Sequence, residues 1–153
     1  DISAVMAAGS VTELWLYPVK GCRGVKVASA RLGRHGLEYD RAFCIVDLDG
    51  IVVAAREAIS MRKLPTLATI STELTEEGRI LTLSAPGMSR IKFETAVPTD
   101  APQVTVDASG RSTTTDGGWK LGELQGRLLP LASQWVSEYL NRASGKSKST
   151  RYA

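Results

Sequence analysis

The chain has 153 residues, 43% hydrophobic and 23% charged, which fits one folded domain with a single core and excludes both a disordered chain and two full-sized domains. Its 19 Lys and Arg against 16 Asp and Glu give a formal net charge of +3 at pH 7, and these cations are scattered along the sequence, which excludes a nucleic-acid footprint built on one basic stripe. A single histidine, His35, and two cysteines, Cys22 and Cys44, exclude a histidine-rich metal site and a disulfide framework, and no apolar run is long enough for a membrane span.

Residues 1–10, "DISAVMAAGS", read as an N-terminal extension; without an initiator methionine they are expected to be a processed or trimmed start, with any targeting segment upstream of view. The segments 11–19 and 25–32 mix β-branched and aromatic residues and are expected to be strands joined by a corner that carries Gly21 and Gly24. Residues 42–48 and 51–55 flank Asp49-Gly50 in the manner of a tight hairpin. Four more strands are expected at 67–74, 79–85, 89–95 and 101–107, separated by the turn signals "TEEG", "PGM" and "PTDAP". Eight short strands at this spacing predict a mainly β fold, a small antiparallel β-barrel or sandwich.

The polar, glycine-rich stretch 108–118 reads as a mobile loop. From Leu128 to Leu140 the apolar positions recur at three and four, so a C-terminal amphipathic helix is expected to pack on the barrel. On that reading Leu131 and Trp135 are buried, and Ser137 and Glu138 face water. Trp15 is likewise assigned to the core of its strand. The domain is thus placed at 11–143, with 144–153 as a linker or the start of a further domain.

Chemistry concentrates at strand ends. In "LYPVKGCRGV" (16–25), Gly21 and Gly24 permit positive φ, which lets backbone N–H groups converge on a ligand, and Lys20 between them is a point charge on a flexible stem. A solvated hairpin with no ligand is the plainer reading of these ten residues. In "HGLEYDRAFCIVD" (35–47), the pair Asp40-Arg41 reads either as a surface ion pair or as an anion clamp, with Asp40 orienting backbone and Arg41 presenting its planar fork. Arg56 adds a third cation at a strand end. Cys22 and Cys44, with apolar neighbours and no metal-ligand spacing, are both expected to be small buried side chains.

The blocks "LYPVKGCRGVKV", "GLEYDRAFCIVDLDG", "AREAI", "LPTLATI", "LTLSAPGMSRIKF" and "WVSEYL", taken in order, resemble the N-terminal β-barrel domain of MOSC proteins over residues 11–153. That family includes amidoxime-reducing components and the C-terminal part of molybdenum cofactor sulfurases. The resemblance implies a molybdenum cofactor (molybdopterin) and, in the reductase branch, reduction of N-hydroxylated compounds. It places phosphate and pterin contacts on Lys20, from the Y-P-V-K corner, and on Arg41, from the D-R pair. The family usually has Ser after that lysine; here the position is Gly21, where only a backbone N–H replaces the hydroxyl.

The resemblance also implies what this chain lacks. The metal-ligating cysteine belongs to a following MOSC catalytic domain, so no metal ligand and no catalytic residue is assigned here, the cofactor is shared with that absent domain, and the isolated chain is expected to be inactive. Electron-donor redox proteins are implied partners of the full-length parent, with no nucleic acid and no membrane span in this chain. An intracellular location, cytoplasmic or mitochondrial, is expected. Two alternatives stand beside this reading: the N-terminal barrel of a sulfurase C-terminal region, or a stand-alone non-catalytic binding module.

Overall fold

In the computed structural model, residues 9–47, 56–57, 61–107, 123–144 and 152 are described. Alternation decides the first strand, β1 (Leu14–Leu16), which pairs antiparallel with β2 (Val25–Val27). Leu16 points inward and is 4% exposed, so Trp15 must point out, opposite Lys26; it is 45% exposed and its Nε1 donates to Glu13 at 3.0 Å. The expected core position of Trp15 is therefore corrected. A single residue of register fixes which face a side chain takes.

A two-residue connection, Arg34-His35, joins β3 (Leu32–Gly33) to β4 (Gly36–Leu37), a hairpin the sequence reading did not anticipate. In place of an unbroken strand over 67–74, Pro65 opens a 3-10 turn at Pro65–Thr69, and β6 (Ser71–Thr75) follows. Leu67 and Ile70, three apart in the 3-10 period, are both fully buried, and the Thr69 hydroxyl donates back to the Thr66 carbonyl at 2.6 Å. β6 pairs with β7 (Ile80–Ser84), which pairs with β8 (Ile91–Glu94), all antiparallel, with β7 central and buried at Leu81, Thr82 and Leu83.

The remaining sheet joins β5 (Arg56–Glu57), β9 (Gln103–Asp107) and β10 (Glu123–Arg127). β5 runs parallel to β9, against the antiparallel expectation, and β10 falls beyond the strands read from sequence. The molecule is mainly β with one C-terminal helix, but among the described residues its strands form four separate sheets and do not close into a ring. Within 42–47 the pairings among the described residues are isolated bridges, Val19 to Phe43 in parallel and Asp47 to Tyr152 antiparallel. The Asp49-Gly50 hairpin turn, the strand at 51–55, the loop at 108–118 and Trp119 lie outside the described residues.

α1 (Pro130–Ser144) begins with a proline, which suits the first helical position because its missing N–H has no intrahelical partner to lose. It buries Trp135, Val136, Tyr139 and Leu140 against Leu67, Ile70, Leu81 and Leu83. That phase leaves Leu131 70% exposed, and Ser137 half-buried with its Oγ accepting the Tyr152 N–H at 2.7 Å. Both expectations are corrected: the buried stripe runs along 135, 136, 139 and 140, so 131 lies past its edge, and Ser137 is half-covered because Tyr152 packs against it. Tyr152, within the stretch read as linker, is itself buried in this core.

Candidate functional site

Val19, Lys20, Gly21 and Cys22 form a four-residue turn closed by the Cys22 N–H donating to the Val19 carbonyl at 3.1 Å. Gly21 has φ +87°, the value a type II turn demands at its third residue. A Cβ at Gly21 would stand 3.1 Å from Cδ1 of the fully buried Leu67. The backbone angle thus favours glycine, and any larger residue would also make Leu67 give way by a few tenths of an ångström. Lys20, at the second position of this turn, is carried outward on its exposed tip.

This turn is fastened on both sides. Toward the chain's later half, the Arg23 N–H donates to the Ile70 carbonyl at 2.9 Å, and the Thr72 hydroxyl donates to the Arg23 carbonyl at 2.9 Å. Toward the Asp40-Arg41 turn, the Lys20 N–H donates to the Phe43 carbonyl at 2.8 Å, the Phe43 N–H to the Pro18 carbonyl at 3.0 Å, and the Arg41 N–H to the Tyr17 carbonyl at 2.8 Å. The two segments singled out from sequence, twenty-one positions apart at Lys20 and Arg41, therefore run side by side. Their charged side chains are exposed, while Val19 and Cys22 beneath them enter the core.

Arg41 is held by an ion pair, Nη1 to Asp40 Oδ2 at 2.6 Å, and lies over the Tyr17 ring, 5.8 Å from its centroid. Tyr17 was not marked by the sequence reading. The signal that marks it is the alternation in β1: with Leu14 and Leu16 inward, Trp15 and Tyr17 turn out on one face. For Arg56 the fold gives a backbone position, opposite Val106 in the β5–β9 pairing, on a sheet other than that of the corner.

The two cysteines differ. Cys22 is buried as expected, and burial pushes its thiol up to about 12. Cys44 corrects the expectation, since the residue is exposed. Its thiol nevertheless lines an apolar cavity, and desolvation raises its pKa while the Lys20 charge acts to lower it.

The cavity, about 190 Å³, lies between residues 42–46, β7, β8, β10 and α1, with Val19, Phe43, Phe93 and Val136 in its wall. A second, of about 460 Å³, lies beside Tyr39, Arg31 and Glu77. Neither is lined by Lys20 or Arg41, whose side chains are exposed. Among the described residues no group of three or more His, Cys, Asp or Glu is placed to hold a metal ion. What the corner offers is an ammonium, a guanidinium and the Gly21 N–H, which has no protein acceptor among the described residues. These are donors suited to the oxygens of a phosphate.

Comparison with known proteins bears on this geometry. Residues 8–143 match a family model described as the MOSC N-terminal beta barrel domain. The mouse mitochondrial amidoxime-reducing component 1 is 33% identical over 141 residues, covering 89% of this chain and 36% of that protein. The bovine molybdenum cofactor sulfurase is 30% identical over 136 residues, covering 86% of this chain and 13% of that protein. The human mitochondrial amidoxime-reducing component 1 is 37% identical over 95 residues, covering 60% and 26%. The chain thus spans little more than a third of the longest-matched of these relatives, and far less of the others.

Proposed function

Because the chain belongs to the MOSC N-terminal beta barrel domain family, we propose that it supplies one wall of a molybdenum-cofactor site, with Lys20, the Gly21 N–H and Arg41 receiving the phosphate and pterin of molybdopterin. The observation that carries this reading is the backbone ladder between Tyr17–Lys20 and Arg41–Phe43, which sets two cation-bearing turns side by side. Arg56, set opposite Val106 in the β5–β9 pairing, belongs to the proposal as the third cation of the cofactor site. Residues 11–143 act as the unit, and 144–153 lead toward a following MOSC domain that completes the pocket.

The residues present fit such a group. Lys20 and the Gly21 N–H have no protein acceptor among the described residues, Arg41 keeps donors beyond the Nη1 that Asp40 takes, and Asp40 is already engaged by Arg41 and by the Tyr17 N–H. In this reading Lys20 neutralises phosphate charge as a mobile ammonium, Gly21 donates from a rigid turn, and Arg41 supplies directional donors that fix orientation. The cofactor, when bound, would supply the two-electron chemistry of the reductase branch, reduction of N-hydroxylated compounds. This chain's own share is binding, orientation and charge. Electron-donor proteins then serve the complete molecule, in the mitochondrion or the cytoplasm. Among the described residues no helix is long and apolar enough to cross a membrane.

The likeness to the bovine molybdenum cofactor sulfurase supports a second reading, in which the same corner receives the cofactor during sulfur transfer. Both readings make one demand of this chain. Titration with molybdopterin at low ionic strength is expected to show binding that falls with added salt and is weakened in Lys20→Ala and in Arg41→Ala. Equal binding by the parent and both variants would refute the corner as a cofactor contact.

A further inference from the structure

Asp40 sits at the centre of a strained turn. Its neighbours Tyr39 and Arg41 have positive φ, 66° and 53°, in the left-handed region that residues other than glycine seldom occupy. Such conformations persist only where the surroundings impose them, and they gather at functional sites. Here the Arg41 N–H bond to the Tyr17 carbonyl and the Asp40 carboxylate together hold the turn. Its Oδ1 accepts the Tyr17 N–H at 2.9 Å and its Oδ2 accepts from Arg41 Nη1 at 2.6 Å.

The side chain of Asp40 is 23% exposed and that of Arg41 64%, so the acid is withdrawn and the cation presented. A contact through Nη1 alone leaves Nε and Nη2 without a protein acceptor among the described residues. Those two donors form an edge that grips an oxyanion in two parallel bonds. The Tyr17 ring beneath the guanidinium is seated in turn, because a Cβ on Gly24 would stand 2.7 Å from it. Only a glycine there leaves room for the ring.

We propose that Asp40 and Tyr17 are positioning residues, which hold the Arg41 fork in place before a ligand arrives, and that the group they prepare it for is a diphosphate or phosphate ester. The inference rests on reading the corner as an anion site. An exposed arginine that binds an anion gives up rotamer freedom, and one already tethered gives up less. Simple electrostatics makes the opposite demand of Asp40. A carboxylate beside the site repels an anion, so removing its charge should tighten binding. The two effects have opposite signs, and one titration separates them.

The test is calorimetric titration with inorganic pyrophosphate at low ionic strength of the parent, Asp40→Asn, Tyr17→Leu, Arg41→Ala and the Asp40→Asn/Arg41→Ala double variant. In parallel, the Arg41 Nε–H resonance is followed by NMR. Asparagine keeps an oxygen to accept the Tyr17 N–H, so the turn survives while the Arg41 contact is lost, and backbone amide shifts verify this. Asp40→Asn and Tyr17→Leu are expected to weaken binding about threefold to tenfold. In the Arg41→Ala background, Asp40→Asn is expected to cause no further loss, and the ring-current displacement of the Arg41 resonance should disappear in Tyr17→Leu. If Arg41→Ala weakens binding but Asp40→Asn binds as tightly as the parent or tighter, positioning is refuted and the corner stands. A loss in Asp40→Asn that persists in full without Arg41 also refutes it. Arg41→Ala indistinguishable from the parent would refute the corner itself, and this inference with it.

Discussion

The corner at Tyr17–Cys22 and the underside of α1 use polar groups in opposite ways. Beneath the helix, side chains close on the interior: Trp135 Nε1 donates to the Ser89 carbonyl at 2.7 Å, the Tyr139 hydroxyl meets that of Thr69, and the Trp135 and Tyr139 rings stack with centroids 6.0 Å apart. At the corner the backbone does most of the fastening, through Lys20, Arg41 and Phe43 with one bond from the Asp40 carboxylate, and the Lys20 and Arg41 side chains stay exposed. Where main-chain bonds do most of the holding between two segments, side chains such as Lys20 are free to meet something else. One region stores stability, and the other displays charge.

The sharpest way to break that contrast is at Trp135. Trp135→Ala removes a buried indole and is expected to destabilise the fold by about 3–5 kcal/mol, read as a lowered thermal midpoint. A melt indistinguishable from the parent would show that the helix is peripheral. At the corner, the backbone should matter more than any exposed head. Gly21→Ser forces a side chain onto φ +87° and toward Leu67 Cδ1, and is expected to lower stability by about 1–2 kcal/mol, measured from the denaturant midpoint. An unchanged midpoint would mean that the turn relaxes into another form.

The smallest effect is electrostatic and leaves stability alone. In Lys20→Ala the cation opposing the desolvation of Cys44 is gone, so the thiol pKa rises further and less thiolate is present at any given pH. Alkylation of Cys44 by iodoacetamide should slow at fixed pH, and its pH profile should move to the alkaline side. Cys22, with its thiol pushed up to about 12, is the internal control and should stay unreacted until the protein unfolds. An unmoved profile would place the Lys20 ammonium away from Cys44.

The sequence was most informative where contacts are local. Alternation and turn residues located β7 and β8 closely, and the three-and-four spacing located α1 to within a few residues, although its phase was set by packing, which is why Leu131 came out exposed. The 3-10 turn was hidden because "LATI" has strand composition, and the period that matters, Leu67 to Ile70, needs the Pro65 start to be seen. At the corner, Lys20, Gly21 and Arg41 were legible as residue types in suggestive positions. Their adjacency was not, because it depends on hydrogen bonds between positions 17–20 and 41–43 that no local pattern encodes. Tyr17 was passed over for the same reason: an aromatic in a strand reads as core until the register is known.

The β6–β7–β8 meander has a consequence for the order in which the chain acquires its shape. Its strands are consecutive and joined by short turns, Glu76–Gly78 among them, so its contacts close small loops and are entropically easy to form early. The corner, by contrast, is assembled from Tyr17 with Asp40 and from Arg23 with Ile70, pairs that close far longer loops. It is therefore expected to form late and to open first. In native-state hydrogen exchange the amides of Lys20, Arg41 and Phe43 should lose protection by local opening, while those of Leu81 and Leu83 hold out until the whole molecule unfolds.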